Sequence, residues 1–421
     1  MFNTINLYKA SNNKYKILNN ISDGAYSRVY TCKDMSNNAI NVVKIQPMCD
    51  KKYAINEINI LNKIKKHTEN YTRQYKSSNI IKKYNYYYDD EYFYIIFELC
   101  NTDLDGFIEA YYEEFNKSLP LCIIKKIIKS LFNGCNELHY NNIIHSDIKL
   151  NNILIKFNDV MLNNKNYTVG DMNQFINLCK KTKDKSIILN SFEIKLIDFN
   201  KSCFINQVCK STNVQILNYQ APEIVVKNDK FNETIDLWSI CCIIWELFTN
   251  EYFVDVYNEG KIHTFNVDNS DESDSDERDS DDTDDSNDSN SDDSNSDDGS
   301  SNGSDGSSNG SDSYSSAGSE YEVDVLDNYV YLLTLQSYLG VYNCNKNKDD
   351  DSEYYSNGLL MGNNVFSLTK KNILEELLKK SNNDNKEYIT KLYNNVMKKI
   401  MIYNFTNRIK SKEIVEIINN M

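Results

Sequence analysis

Ile143-Ile144-His145-Ser146-Asp147-Ile148-Lys149-Leu150-Asn151-Asn152-Ile153-Leu154 is the stretch of this 421-residue chain from which the rest is read. Apolar pairs flank eight residues that are richer in polar side chains. The outer pairs are predicted as short buried strands, and the residues between them as a loop held at both ends. That loop carries a carboxylate, a cation and a carboxamide in the order His-x-Asp-x-Lys-x-x-Asn.

Such a set suits phosphoryl transfer. Asp147 can accept the proton of an attacking hydroxyl, Lys149 can neutralise a migrating phosphoryl group, and Asn152 can bind a metal through its carbonyl oxygen. A second piece, Ile194-Lys195-Leu196-Ile197-Asp198-Phe199-Asn200, is a strand-like run ending where a metal-binding Asp would sit. A third is Tyr219-Gln220-Ala221-Pro222-Glu223. The three in this order resemble the catalytic loop, the Asp-Phe-Gly segment and the Ala-Pro-Glu segment of eukaryotic protein kinases.

The resemblance implies an α+β, two-lobed protein kinase fold: a small β-rich N-lobe with one regulatory helix, and a larger helical C-lobe. Residues 1–14 would be an N-terminal extension, 15–97 the N-lobe, and 98–421 the hinge and C-lobe. Tyr15–Leu18 and Ile40–Ile45 read as the first and third strands. Between them, Ile21–Tyr30 reads as a turn leading into the second. The turn resembles the kinase glycine-rich loop, so Ser22, Asp23, Gly24 and Val29 would face the nucleotide. Of the three loop glycines only Gly24 is present; Ser22 and Ser27 occupy the outer positions. Glycine lets backbone N–H groups approach phosphate oxygens closely, and Ser does so less freely.

Lys44 stands at the position of the phosphate-binding lysine. Glu57, on a segment with apolar residues at helical spacing, is its expected partner. Tyr92–Phe97 reads as a strand, and its run into Glu98-Leu99-Cys100 resembles the family's hinge, which implies Phe97 as gatekeeper and backbone groups of Glu98 and Cys100 bonding adenine. Leu121–Asn141 is predicted as a helix with Ile124, Ile127, Ile128, Leu131, Cys135 and Leu138 on its core face. His139 at its end is read as structural. On the resemblance, Asp198 and Asn152 hold Mg²⁺, Asp236 bonds the catalytic-loop backbone, and Glu223 pairs with Arg408.

Within the family, Phe97-Glu98-Leu99, Ser118–Ile128, His145–Lys149 and Asp198–Cys203 are most similar to the SR-protein kinase (CMGC) branch. Residues 157–191 form an insert at the place where that branch carries its spacer. Four departures bear on activity. Ser146 replaces an Arg that in many kinases pairs with an activation-loop phosphate. Asn200 replaces the Gly of Asp-Phe-Gly, and Asn tolerates positive φ better than most residues. Ile216 stands where Ser/Thr kinases have a Thr that bonds the catalytic Asp and Lys. Gln220 stands where the branch has an Arg beside the substrate.

The net charge of −15 is uneven. Residues 268–324 hold 21 acidic residues and one Arg. The remainder is therefore mildly basic. The tract is expected to be a disordered insert. It could draw basic peptides by its long-range field or be a tolerated loop. Eleven cysteines without a C-x-x-C pair, and no signal pattern at the N-terminus, point to a reduced, intracellular, soluble chain. Trp238–Phe248 is too short to span a bilayer and contains Glu246.

The reading that follows is a protein serine/threonine kinase using ATP and Mg²⁺. Its protein substrate would be basic or Arg/Ser-rich, with a monomeric enzyme, no nucleic acid and no membrane. The alternative is a catalytically weak pseudokinase acting as a scaffold or allosteric partner. A small-molecule kinase shares the Asp/Asn loop but would not need Ala-Pro-Glu, Asp236 and Arg408.

Overall fold

A computed structural model of the chain describes residues 6–24, 27–75, 78–205, 214–226, 231–254, 371–381 and 383–421, together with 331–332, 335, 338–339, 355–356 and 359–360. The acidic tract 268–324 lies outside the described residues, as do Ser211 and Thr212. All described residues belong to one compact unit, 1–256 with 328–421.

Five antiparallel strands form the first sheet: β1 (Tyr15–Asp23), β2 (Arg28–Asp34), β3 (Ile40–Pro47), β4 (Lys83–Tyr88) and β5 (Tyr92–Phe97). Their order is β1-β2-β3-β5-β4. Strand β5, Tyr-Phe-Tyr-Ile-Ile-Phe, is buried at every position, as a strand with neighbours on both edges and both faces covered should be. Strand β4 lies at the edge and alternates exposed Tyr84, Tyr86 and Tyr88 with half-buried residues. Helix α1 (Leu7–Ala10) drops Leu7 into an apolar cluster with Tyr15, Cys32, Val43, Ile45, Tyr94 and Ile96. The extension therefore packs on the sheet. Helix α2 (Lys51–Tyr75) follows β3 and carries Glu57.

The later region is mainly helical, which fits the two-lobed arrangement. After the short strand β6 (Thr102–Asp103), Asp103 caps helix α3 (Leu104–Phe115) by accepting a bond from Gly106 N–H at 2.8 Å. Helix α4 (Leu121–Tyr140) buries the whole predicted apolar stripe. Two short strand pairs then matter most. Strand β7 (Ile143–Ile144) pairs with β12 (Cys203–Phe204). Strand β8 (Ile153–Phe157) pairs with β11 (Phe192–Leu196). The loop 145–152 and the turn 197–202 are thus clamped together at both ends. Gly134 of α4 brings β11 close: an added Cβ would meet Leu196 Cδ1 at 2.8 Å.

The insert is folded. It holds a hairpin, β9 (Val160–Leu162) and β10 (Lys165–Tyr167), and helices α5 (Met172–Lys181) and α6 (Lys185–Asn190). Phe175 of α5 packs against Phe107, Phe157 and Phe192 at ring-centroid distances of 5.2–5.8 Å. Helix α7 (Pro222–Val225) precedes helix α8 (Thr234–Thr249), which is buried along its whole length, including Trp238 and Trp245. Among the described residues no helix is long and apolar enough to cross a membrane.

Three expectations change. Strand β1 runs on to Asp23, bulging between Ile17 and Asn20 and again before Ser22, so the turn is shorter than predicted. The left-handed residue near the Asp-Phe-Asn turn is Asp198, with φ 66°, and Asn200 is not among the positive-φ residues. Eight described cysteines are free thiols, but Cys203 is disulfide-bonded, a departure from the all-reduced expectation.

Candidate active site

The loop 145–152 is fixed from below by Asp236 of α8. Its carboxylate accepts bonds from the backbone N–H groups of His145 and Ser146 at 2.8 and 2.9 Å. Ser146 adopts φ 65°, a costly conformation for a residue with a side chain, and these bonds help to hold it. His139 Nε2 also lies 3.0 Å from Asp236 Oδ2, and its Nδ1 is 3.1 Å from Ser411 Oγ. Cys135 Sγ completes a buried trio with these two side chains. Hydrogen bonding already accounts for His139 and Asp236, in keeping with the structural reading of His139. His145 Nδ1 accepts from Asp147 N–H at 3.3 Å, so Nε2 carries the proton and donates to Ile197 O at 2.9 Å. One imidazole thus joins the loop to the strand end before Asp198.

Three of the predicted side chains meet across 154 residues of chain. Lys44 Nζ lies 2.8 Å from Glu57 Oε2 and 2.7 Å from Asp198 Oδ1. Burial opposes charge on Lys44, but Glu57 and then Asp198 outweigh it and hold its pKa above the ordinary lysine value. Burial likewise opposes charge on Asp198, and Lys44 brings its pKa below the usual carboxylate value. Glu57 Oε1 also accepts Phe199 N–H at 3.4 Å, which ties α2 to the turn.

Asp147 is buried, and its two oxygens differ. Oδ2 accepts from Asn152 Nδ2 at 3.2 Å and faces the ammonium groups of Lys201 at 3.5 Å and Lys149 at 3.7 Å. Oδ1 is buried without a partner. Asn152 also donates to Asp147 O at 2.8 Å, so its amide oxygen is the atom left for a cation. With the Asp198 carboxylate this makes an all-oxygen donor set, which suits a hard divalent ion.

A cavity of about 440 Å³ opens beside these groups. Ser22, Val29 and Val42 line it from the sheet, and Leu154 from β8. Phe97, Glu98 and Cys100 form one wall, and Lys44, Glu57, Asn152 and Asp198 another. The Glu98 carboxylate accepts Lys82 N–H at 2.9 Å and pairs with Lys156 Nζ at 2.6 Å, so only its backbone can serve a ligand. Burial pushes the Cys100 thiol up to about 12, so it stays protonated.

Eight of the predicted residues therefore line one cavity: Ser22, Val29, Lys44, Glu57, Glu98, Cys100, Asn152 and Asp198. Asp147 and Lys149 sit next to it, joined through Asn152. Asp23 and Gly24 do not line it. Asp23 is drawn into its own turn by Arg28, at 3.3 Å, and by Asn20 Nδ2, at 3.0 Å. Gly24 N–H donates to Ser27 O at 2.8 Å.

The sequence reading missed three residues. Lys201 faces Asp147. Asn56 Nδ2 reaches the carbonyl oxygens of Phe199, Asn200 and Ser202 at 3.4, 3.1 and 2.7 Å. Gln215 donates its N–H to Ser146 O at 2.8 Å and its Nε2 to Ile235 O and Ser239 Oγ. The adjacent Ile216 is exposed. A polar residue beside each motif was the one available signal, and it does not say which backbone atoms would be near.

Comparison with known proteins gives the family. The protein kinase domain matches residues 15–297. Serine/threonine-protein kinase AFC1 of Arabidopsis thaliana is 26% identical over 243 residues, 56% of this chain and 48% of that protein. Serine/threonine-protein kinase AFC3 of the same plant is 29% identical over 244 residues, 56% of this chain and 55% of that protein. A putative dual specificity tyrosine-phosphorylation-regulated kinase 3 homolog of Drosophila melanogaster is 28% identical over 249 residues, 58% of this chain and 25% of that protein. The matched stretch thus spans about half or less of these relatives. ATP, a divalent metal and a protein substrate are general requirements of the domain. The chain belongs to the protein kinase family, and the relatives named here are kinases of the CMGC type.

Proposed function

We propose that the chain transfers the γ-phosphate of ATP, with Mg²⁺, to serine or threonine hydroxyls of basic or Arg/Ser-rich proteins. The observation that carries this is Lys44, bonded to Glu57 and Asp198 together at the wall of the cavity. A lysine held between two carboxylates is fixed in direction and stays charged, as a ligand for phosphate oxygens must be. Backbone groups of Glu98 and Cys100 bind the purine edge. Val29, Val42 and Leu154 cover its faces.

Asn152 and Asp198 would hold the metal, which when bound would supply positive charge to offset that of the phosphate oxygens. Asp147 takes the hydroxyl proton on Oδ1 as the acceptor oxygen bonds to the γ-phosphorus. The bond from that phosphorus to the β–γ bridging oxygen breaks, and its electron pair leaves with ADP. Lys149 stands beside the base and offsets charge on the phosphoryl oxygens.

The preference for basic substrates draws on Glu246. It lines a small cavity with Ile108, Tyr112 and Leu119. Tyr219 O–H donates to its Oε2 at 3.0 Å, and its Oε1 is buried without a partner. Burial pushes this carboxyl up to about 8. The cavity holds only about 10 Å³, so a guanidinium would supply the missing donor and the compensating charge only once the side chains around it give way.

The test is phosphate incorporation into an Arg/Ser-rich peptide and into an acidic control, with Mg-ATP and purified full chain. Incorporation on serine of the basic peptide is expected, with a loss of about 10²–10⁴-fold in Asp147→Asn. Mg-ATP binding without any transfer would favour the pseudokinase reading, which Ser22, Ser27 and Ile216 motivate.

A further inference from the structure

Asp147 is held on one side only. Its Oδ2 faces three nitrogen groups, and its Oδ1 none. Two of the three are ammonium groups, from opposite sequence neighbourhoods: Lys149 of the loop and Lys201 of the turn after Asp198. Lys201 is the nearer, at 3.5 Å against 3.7 Å. A surface ion pair at such a distance would mean little. This one involves a carboxylate whose side chain is 4% exposed, and a lysine whose backbone is fixed on both sides.

Ser146 Oγ donates to Lys201 O at 2.8 Å. Asn56 Nδ2 bonds the carbonyl oxygens of Asn200 and Ser202, the residues on either side. Ser202 Oγ donates to His145 O at 2.9 Å. These bonds place Lys201 within reach of Asp147 without help from a ligand. Ile216, which carries no hydroxyl, contributes nothing of the kind.

We propose that Lys201 is a positioning residue for phosphoryl transfer. It anchors Asp147 Oδ2, keeping Oδ1 turned toward the acceptor hydroxyl and leaving Lys149 free to follow the phosphoryl group. This rests on the kinase reading above. Lys201 neither gains nor loses a proton in the step. The hydroxyl proton passes to Oδ1, and the positive charge of Lys201 holds the other oxygen throughout. Without it, Lys149 would have to serve the base and the phosphoryl oxygens together. The carboxylate could then rotate and present either oxygen.

Lys201→Met and Lys201→Arg, each in the full chain, test this against wild type. The measurements are Mg-ATP affinity by calorimetry, melting temperature, and kcat and KM on an Arg/Ser-rich peptide. Lys201→Met is expected to lose about 10²-fold in kcat, the scale of misplacing one reacting group. Its Mg-ATP affinity, peptide KM and melting temperature should be unchanged, and Lys201→Arg should recover most of kcat. An unchanged kcat in Lys201→Met overturns the inference and leaves the kinase reading standing. A fall in kcat accompanied by lost nucleotide affinity or a lower melting temperature overturns it as well, because a purely structural role does that. So does an Arg variant as slow as the Met variant. A wild type that binds Mg-ATP but transfers nothing removes both readings.

Discussion

Arg408 donates Nη1–H and Nη2–H to the two carboxylate oxygens of Glu223, at 2.6 and 2.8 Å, with neither side chain exposed. The guanidinium also lies over the Trp238 ring, 5.1 Å from its centroid, and donates to Ile402 O. Removing one partner leaves the other charged and buried. Arg408→Met is therefore expected to cost about 3–5 kcal/mol of folding stability. Adding Glu223→Gln to that variant should recover part of the loss, because the uncompensated carboxylate is gone. Denaturant unfolding of the two variants checks this; a single variant as stable as wild type contradicts it.

Glu137 of α4 makes stability depend on pH. Burial pushes its carboxyl up from 4.5 to about 7, although Ser78 O–H and Asn79 N–H donate to it. The folded chain therefore keeps a proton that the unfolded chain has released between these two values. Stability is fully retained below pH 4.5 and declines as pH rises through about 7. The full effect is about 3 kcal/mol, at 1.36 kcal/mol per pKa unit. Glu137→Gln should remove that slope and be the more stable form at pH 8. Melting temperatures at pH 5 and pH 8 decide the matter, and equal slopes in wild type and variant would exclude it.

Activity should not need a phosphate on the segment after Asp198. In many kinases such a phosphate pairs with an Arg at the position that Ser146 occupies. Here the Ser146 hydroxyl bonds Lys201 O directly, and Gln215 N–H bonds Ser146 O. Ser202 is 3% exposed and donates to His145 O, so its hydroxyl is already engaged. Phosphatase-treated protein, verified by mass spectrometry, is expected to keep its kcat. Loss of activity that maps to Ser202, Ser211 or Thr212 would show the opposite.

The parts of the site legible in the sequence were those whose chemistry forces a residue type into a recurring local order. Asp147, Asn152 and Asp198 each sit beside an apolar strand, so strand pairing brings them together once β8 meets β11. Lys44 and Glu57 were readable only through the family resemblance, which implies the ion pair that the two side chains form. What stayed hidden depends on register. Lys201 reaches Asp147 because Cys203 pairs with Ile144 across β12 and β7, a match of two residues with no pattern of its own. Asn56 on a helix looks like any exposed amide until Phe199–Ser202 is laid beside it. Helix α3 and the elements of the insert are short, and Phe107, Phe157, Phe175 and Phe192 become one cluster only after the chain has folded. Asn at position 200 was read as able to tolerate a left-handed turn; the left-handed residue is Asp198, which also carries the Lys44 ion pair.

Asn56 is expected to couple α2 to the metal-side turn. Its two N–H groups are shared among three backbone carbonyls, the closest being Ser202 O at 2.7 Å. The neighbouring Glu57 holds Lys44 and Phe199 N–H. One turn of helix thus grips both the phosphate-binding lysine and the turn that carries Asp198. Asn56→Leu keeps similar volume but cannot donate. It should cost about 1–3 kcal/mol, the scale of leaving buried carbonyls unpaired. Hydrogen exchange at residues 198–202 should rise more than exchange in α4 or α8, to which Asn56 makes no hydrogen bond among those of its side chain. Weaker Mg-ATP binding should accompany it, since Asp198 loses its support while Lys44 and Glu57 remain. Faster exchange spread evenly over the chain would mean that Asn56 serves global stability alone, and unchanged exchange at 198–202 would mean that the turn is held without it.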